Sequence, residues 1–226
     1  MFVLGIADLK IGVDNKYDFI EDMCKDYIIS SDETDFDVAA TDEEINAEQT
    51  ENYPLGYLES LAVYRKIAEK ITEYNGILMH SAIIKIDDTA IAFLARSGTG
   101  KTTHITFWKQ MFKDRVSAVN GDKPLIRIID GKAYAYGTPW AGKENLQTNT
   151  KAELKKICFV ERAEENACIP VPGGKTLDRL LNQVYIDKGY KAFGIMNKLM
   201  EICDFYVIKC NLDISAAQVA YEGMGL

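Results

Sequence analysis

The spacing of hydrophobic and polar residues divides the chain into short strands and a smaller number of amphipathic helices. Residues 2–13 alternate loosely and predict a strand or hairpin, and residues 17–29 predict a short acidic helix. Residues 36–40 are compatible with a further strand. Between residues 57 and 73, apolar side chains recur at helical spacing with charged residues among them. This pattern predicts an amphipathic helix that packs on a sheet.

Two antiparallel hairpins are predicted in the middle of the chain. Residues 77–86 predict one apolar strand and residues 90–95 the next, and the polar turn between them is too short for a crossover connection. Residues 125–129 and 132–136 flank an Asp-Gly pair, which between alternating strands is a strong hairpin signal. The sequence therefore predicts an α/β protein with a mixed, largely antiparallel sheet.

The last third of the chain predicts strands and helices in alternation. Strands are expected at residues 154–161 and 204–210, and helices at residues 174–185, 190–202 and 215–221. We find no internal repeat and no low-complexity linker.

A Pro-Leu-Gly break at residues 54–56 marks a boundary in the pattern. It predicts an N-terminal α/β extension at residues 1–52 and a core at residues 53–226, which together can form one compact domain.

Composition and charge narrow the class of protein. The chain has 226 residues, 47% of them apolar, which is enough for a sizeable core. Its formal net charge of −8 argues against nucleic acid as the main partner. No apolar run is long enough to span a membrane, and the N-terminus lacks the basic start of a signal peptide. Five cysteines without a C-x-x-C pair indicate reduced thiols, so we expect a cytoplasmic protein.

The stretch that carries chemistry is a strand, a glycine loop (residues 95–100) and a helix start. The glycines allow a tight turn whose N–H groups approach a ligand, and the following helix N-terminus favours an anion. The Gly-Lys-Thr ending is that of a phosphate-binding loop, although Ala95 replaces the usual first glycine. We expect Lys101 to reach the outer phosphates and the Thr102 hydroxyl to bind Mg²⁺. The predicted phosphate-binding residues are Ser97, Gly98, Thr99, Gly100, Lys101, Thr102 and Thr103.

A second candidate group follows the strand at residues 116–120. Asp122 stands at the end of this strand, where a carboxylate beside the glycine loop can hold Mg²⁺ or accept a proton. Further on, Trp140 and Lys143 lie in a loop with two glycines and a proline, and a loop so placed can cover a nucleotide or substrate.

Four parts of the sequence together resemble the HPr-kinase-like group. They are His80, the glycine loop through Thr103, Asn120-Gly-Asp-Lys-Pro124 and Tyr136-Gly-Thr-Pro-Trp-Ala-Gly-Lys143. That group shares its nucleotide core with ATP-dependent phosphoenolpyruvate carboxykinase. The resemblance covers about residues 77–145 and implies the same P-loop fold.

The resemblance also implies roles for individual residues. It places His80 near the transferring phosphate and makes Asp122 the base and a neighbour of the metal. The acidic residue that usually accompanies this aspartate is Gly121 here, so Glu144 is the candidate for the missing carboxylate. The implied metal set is Thr102, Asp122 and Glu144, and the implied catalytic set is Asp122, Lys101 and His80.

The function that follows is Mg-ATP-dependent phosphoryl transfer to a hydroxyl of a protein, a peptide or a small molecule, with GTP as the alternative nucleotide. Two other classes compete with this kinase hypothesis. A non-catalytic nucleotide-binding regulatory module fits the departures at Ala95 and Gly121. A carboxykinase-type lyase ranks below both, because no arginine-rich substrate segment matches.

Overall fold

The N-terminal part of the chain is a small sheet covered by helices. The computed structural model describes residues 1–96 and 98–226. The first sheet has the strand order β3-β1-β2-β4, in which β2 and β4 are parallel and the other pairs antiparallel. The elements of this part are β1 (Phe2–Ile6), β2 (Leu9–Asp14), α1 (Asp18–Cys24), β3 (Ile28–Ile29), β4 (Phe36–Ala39), α2 (Asp42–Ala47) and α3 (Leu55–Lys70).

A nine-stranded mixed sheet forms the larger part of the molecule. Its strands are β5 (Gly76–Leu78), β6 (Ala82–Ile86), β7 (Thr89–Leu94), β8 (Val116–Asn120), β9 (Leu125–Ile129), β10 (Lys132–Tyr136), β11 (Lys151–Arg162), β12 (Ala167–Val171) and β13 (Asp204–Cys210). Most neighbours are antiparallel, but β11 runs parallel to both β7 and β13. The sheet is therefore mixed and largely antiparallel, as the hairpin signals predict.

Helices cover both faces of this sheet. Its helices are α4 (Lys101–Phe112), α5 (Leu177–Leu181), α6 (Lys191–Ile202) and α7 (Ser215–Gly223). Ala92 and Leu94 of β7 belong to the hydrophobic core under α5 and α6, whereas Ile91 and Phe93 belong to the core under α4 and α7. Strand β7 is thus buried on both sides, which explains why its sequence is continuously apolar.

Helix α3 connects the two sheets. Its residues Leu58, Ala62 and Val63 share one hydrophobic cluster with the N-terminal strands and with Leu125 and Trp140 from the larger part. This hydrophobic cluster therefore contains residues from both sides of the predicted boundary at residues 52 and 53, and α3 packs the N-terminal sheet beside the larger one. The boundary of the predicted extension stays a prediction.

Two sequence-based predictions about local structure are wrong. The stretch at residues 77–86 is not one strand, since β5 ends at Leu78 and pairs with β9, while β6 pairs with β7 and β8. The helix expected at residues 174–185 is reduced to a 3₁₀ turn, Gly173–Lys175, and the short α5. The predicted strand is interrupted because its two halves pair with different distant strands, which no local pattern reveals. The predicted helix is shortened because the Gly173-Gly174 pair disfavours regular helix at its start.

The acidic helix expected at residues 17–29 is present only as α1, which ends at Cys24 and is followed by a 3₁₀ turn and β3. The other predicted elements are present within a few residues of the expected positions, and α2, β3 and β12 are additional. Among the described residues, no helix is long and apolar enough to cross a lipid bilayer.

Candidate functional site

The glycine loop leads from β7 into α4. Gly98 and Gly100 both have positive φ angles, 76° and 120°, which residues with a side chain rarely adopt. Among the described residues, a Cβ atom at either position would meet no atom within 4 Å beyond its chain neighbours, so the backbone here borders open space. The first turn of α4 contains no acidic residue, and its unpaired N–H groups make it suitable for an anion. Ser97 lies outside the described residues.

Lys101, the first residue of α4, is a buried lysine. Only 9% of the residue is exposed, and its Nζ donates a hydrogen bond to the Ala95 carbonyl over 2.8 Å. Burial lowers the pKa of its ammonium group, against the opposing attraction of Asp122. Lys101 is therefore held close to the loop backbone, in a place where a phosphate oxygen would relieve its incomplete solvation.

Asp122 and His80 form a hydrogen-bonded pair. His80 Nε2 lies 3.1 Å from Asp122 Oδ1, and both side chains are about one third exposed, at 35% and 29%. Burial alone would raise the pKa of the Asp122 carboxyl, but the hydrogen bond from His80 and the positive charges of Lys123 and Lys101 outweigh it and lower the pKa. Asp122 is thus an ionised carboxylate at neutral pH, able to accept a proton or a cation.

The break between β5 and β6 brings His80 to this position. The N–H of His80 donates to the Gln183 carbonyl (2.6 Å), and the N–H of Ser81 donates to the Asp122 carbonyl (3.0 Å). The chain therefore leaves the sheet at residues 79–81 and passes directly beside the end of β8. The failed prediction of one continuous strand and the formation of the His80–Asp122 pair have this single cause.

A buried asparagine holds the backbone on the other side of Asp122. The Asn120 Oδ1 accepts hydrogen bonds from the N–H groups of Asp122 and Lys123, each 2.8 Å long. Its Nδ2 donates to the carbonyl and hydroxyl oxygens of Thr138. These bonds satisfy all the polar atoms of a fully buried amide and fix the turn that presents Asp122.

The loop at residues 137–145 packs against the same turn. Trp140 stacks on Tyr64 of α3, with ring centroids 4.0 Å apart, and its Nε1 donates to the Ser60 carbonyl over 3.0 Å. Gly142 has a φ of 76°, and a Cβ there would lie 3.1 Å from Asp122 Cβ. The tryptophan thus anchors the loop on α3, while the glycine allows the loop to approach Asp122 closely.

The surroundings of Gly121 are tight for the acidic side chain that the resemblance implies at this position. A Cβ at this position would lie 3.0 Å from the Ala141 carbonyl oxygen and 3.2 Å from Leu146 Cβ. Since backbone forms part of this contact, the neighbouring loop would have to shift to admit even an alanine. The packing of the 137–145 loop therefore disfavours a carboxylate at position 121.

These elements enclose a cavity of about 740 Å³, large enough for a nucleotide. The predicted site residues that line it are His80, Gly98, Gly100, Lys101, Thr102, Thr103, Asp122 and Glu144. Thr99 is placed beside the cavity by its chain neighbours and is not one of its lining residues. Lys123 and Lys143 add two further positive charges to the wall. The fold thus gathers nearly all of the predicted residues around one space, while their roles stay predictions.

Sequence reasoning missed Arg162, at the end of β11. Its guanidinium donates to the carbonyls of Gly98 (2.5 Å) and Thr99 (3.0 Å) and so braces the glycine loop from outside. Strand β11 is parallel to β7, with Phe159 opposite Leu94, so the carboxyl ends of both strands meet at the loop. No local signal marks this arginine, because only the pairing of strands distant in sequence brings it here.

The cavity contains few potential metal ligands. Within the part of the chain that the structure describes, no group of three or more His, Cys, Asp or Glu side chains is arranged to hold a metal ion. Protein carboxylates alone therefore do not make a metal cage here. The predicted metal ligands Thr102, Asp122 and Glu144 all line the cavity, and their role in binding Mg²⁺ stays a prediction.

Comparison with known proteins gives distant structural likenesses and no match by sequence. No protein-family profile matches the chain, and no curated protein matches it by sequence. Among solved structures, the chain is similar to the HPr(Ser) kinase/phosphatase from Coxiella burnetii, with a TM-score of 0.40 and 9% sequence identity. The match covers 65% of this chain and 95% of that one. It is a distant structural relationship and says nothing about individual site residues.

Proposed function

We propose that this chain is an Mg-ATP-dependent phosphotransferase that acts on a hydroxyl group. The observation that carries the proposal is the convergence on one cavity of the α4 N-terminus with Lys101 and the ionised Asp122 held by His80. Donors for phosphates and an acceptor for a proton are the two requirements of phosphoryl transfer to an alcohol.

The nucleotide would place its phosphates against the glycine loop and α4. The N–H groups of the loop and the Lys101 ammonium would bind the outer phosphate oxygens, and Thr102 and Asp122 offer oxygen ligands for Mg²⁺. Mg²⁺ supplies charge neutralisation on the phosphates when it is bound. Lys123 and Lys143 would add to the positive potential on this wall.

Asp122 would act as the general base. The acceptor hydroxyl gives its proton to the Asp122 carboxylate while its oxygen forms a bond to the terminal phosphorus. The bond between that phosphorus and the bridging oxygen breaks, and the nucleoside diphosphate leaves. His80, hydrogen-bonded to Asp122 Oδ1, keeps the carboxylate oriented during this step.

A single-turnover experiment tests the proposal. Labelled γ-phosphate transfer to serine peptides and small alcohols is measured for the wild type, Asp122→Asn and the control Asp88→Asn, whose carboxylate is fully exposed in the β6–β7 turn. The asparagine keeps an oxygen for His80 but accepts no proton, so the rate should fall by about 10²–10⁴-fold. The control should transfer phosphate at the wild-type rate.

Two other results would change the conclusion. A rate for Asp122→Asn within about threefold of wild type, against that expected span, would remove Asp122 as the base. Nucleotide binding without transfer to any acceptor would instead favour the regulatory module. Two observations are compatible with that alternative: the close packing at Gly121 and the hydrogen bond from Lys101 to the Ala95 carbonyl.

A further inference from the structure

An apolar strip leads out of the cavity across the N-terminal helices. Helix α1 carries Phe19 and Met23 one turn apart, and α3 carries Tyr57 and Leu61 one turn apart. Met23, Tyr57 and Leu61 line the cavity, whereas Phe19 and Tyr53 are exposed outside it, at 44% and 39%. We call these five residues the aromatic strip.

The three aromatic members of the strip contact one another through Tyr57, which lines the cavity. The rings of Tyr57 and Phe19 meet edge to face with centroids 6.1 Å apart, and Tyr57 and Tyr53 lie 5.0 Å apart. Gly56 allows this arrangement, because a Cβ there would come within 2.8 Å of Phe19 Cβ. The three rings therefore lead from solvent to the cavity that Asp122 also lines.

The charge around the aromatic strip is opposite to the charge inside the cavity. Residues 17–53 carry acidic side chains throughout and Lys25 as their single basic residue. The acidic residues Asp18, Glu21 and Asp22 are exposed on the same helix as Phe19. Within the cavity, by contrast, Lys101, Lys123 and Lys143 provide positive charge for phosphates. A ligand that lies along the strip therefore meets apolar rings with an acidic border.

We infer that the aromatic strip binds the acceptor, and that the acceptor is a peptide segment with basic and apolar residues beside its phosphorylated hydroxyl. This inference rests on the proposed kinase function. A small alcohol would fit inside the cavity and would leave Phe19 and Tyr53 without a partner, whereas an extended segment buries them. Exposed aromatic side chains at such a surface commonly provide most of the binding energy, and the acidic border favours positively charged partners.

The test separates peptide binding from phosphoryl transfer. Fluorescence anisotropy measures binding of two labelled peptides with a central serine, one flanked by Lys, Arg, Leu and Phe, the other with Glu and Asp in place of the basic residues. The wild type should bind the basic peptide at least tenfold more tightly, and added salt should reduce the difference. The double variant Phe19→Ser/Tyr53→Ser should weaken binding by roughly tenfold or more.

A matched control substitutes exposed apolar residues elsewhere. Leu212 is 83% exposed and Ile169 is 43% exposed, and neither lines the cavity. The Leu212→Ser/Ile169→Ser variant should therefore bind the basic peptide as the wild type does. Asp18→Lys/Glu21→Lys should weaken the basic peptide and strengthen the acidic one.

Each opposite outcome overturns the inference. Equal binding of both peptides, unchanged binding by Phe19→Ser/Tyr53→Ser, or no peptide binding at all would show that the strip has another use. A wild-type dimer in analytical ultracentrifugation that dissociates on the Phe19→Ser/Tyr53→Ser substitution would assign the strip to a second copy of the chain. Nucleotide affinity is measured by calorimetry on the same samples, so that failure of the peptide inference can be distinguished from failure of the kinase proposal. A wild-type protein that does not bind nucleotide would contradict the kinase proposal itself.

Discussion

The buried histidine in the first turn of α4 should make the folding stability depend on pH. His104 is 2% exposed and packs against Phe93, with ring centroids 4.8 Å apart. Its Nε2 accepts a hydrogen bond from Trp108 Nε1 over 3.0 Å, and its buried Nδ1 has no partner among the described residues. Burial lowers the pKa of this imidazole from 6.5 to about 4. The folded protein therefore keeps His104 neutral in mildly acidic solution.

The sign and size of the effect follow from proton linkage. Below the unfolded pKa of 6.5, the unfolded chain takes up a proton that folded His104 does not, so stability falls as the pH falls. The loss from His104 should reach ~2 kcal/mol at about pH 5 and level off at ~3 kcal/mol below the folded pKa, because each pKa unit corresponds to about 1.4 kcal/mol. That is a large fraction of the stability of an ordinary domain.

The assay is urea unfolding at neutral pH and near pH 5 for the wild type, His104→Gln and His80→Gln. The glutamine at 104 retains an oxygen to accept from Trp108 but does not titrate, so this variant should lose about 2 kcal/mol less than the wild type over that interval. The chain has two histidines, and His80→Gln removes the other one as a control. Identical pH dependence in the wild type and His104→Gln would refute the argument, whatever the absolute stability of the variant.

Three further predictions concern the glycine loop and the thiols. Lys101→Ala should keep the fold, since the side chain serves phosphates, and should weaken ATP binding; an unchanged affinity by calorimetry would contradict this role. Arg162→Met removes the donor to Gly98 and Thr99 but keeps the length of the side chain, so ATP affinity should fall by about tenfold, as expected for the loss of a charged hydrogen-bond donor. Arg162→Lys should recover only part of this affinity. Equal ATP affinity in the wild type and both variants would rule out a bracing role. The five cysteines are free, so a thiol reductant should leave the circular dichroism spectrum and the melting temperature unchanged, and loss of folded signal would show that a disulfide had been missed.

Some features of the site could be predicted because they are local in sequence. The glycine loop, Lys101 and the start of α4 follow one another along the chain, and their residue types alone require a tight turn into a helix. The position of Asp122 at the end of a strand could be predicted from the local sequence in the same way. The sequence also predicted the β6–β7 and β9–β10 hairpins, because two short polar turns leave no other connection.

Other features depend on contacts between residues far apart in the chain. Arg162 reaches the glycine loop only because β11 lies parallel to β7, and His80 reaches Asp122 only because β5 and β6 join different neighbours. The sequence predicts a short acidic helix at residues 17–29, yet α1, together with the start of α3, supplies one wall of the cavity. Periodicity reports which residues are buried but not what buries them.

The division between the two kinds of information is therefore physical. The sequence by itself predicted most of the elements, their amphipathic faces and the tight turn of the glycine loop into α4, since backbone conformation and side-chain type act over a few residues. The tertiary structure alone decided which strands pair, that the surroundings of Gly121 are tight for a second carboxylate, and that aromatic residues lead from the cavity to the surface. These depend on burial and close packing, which arise only when distant segments exclude water from one another.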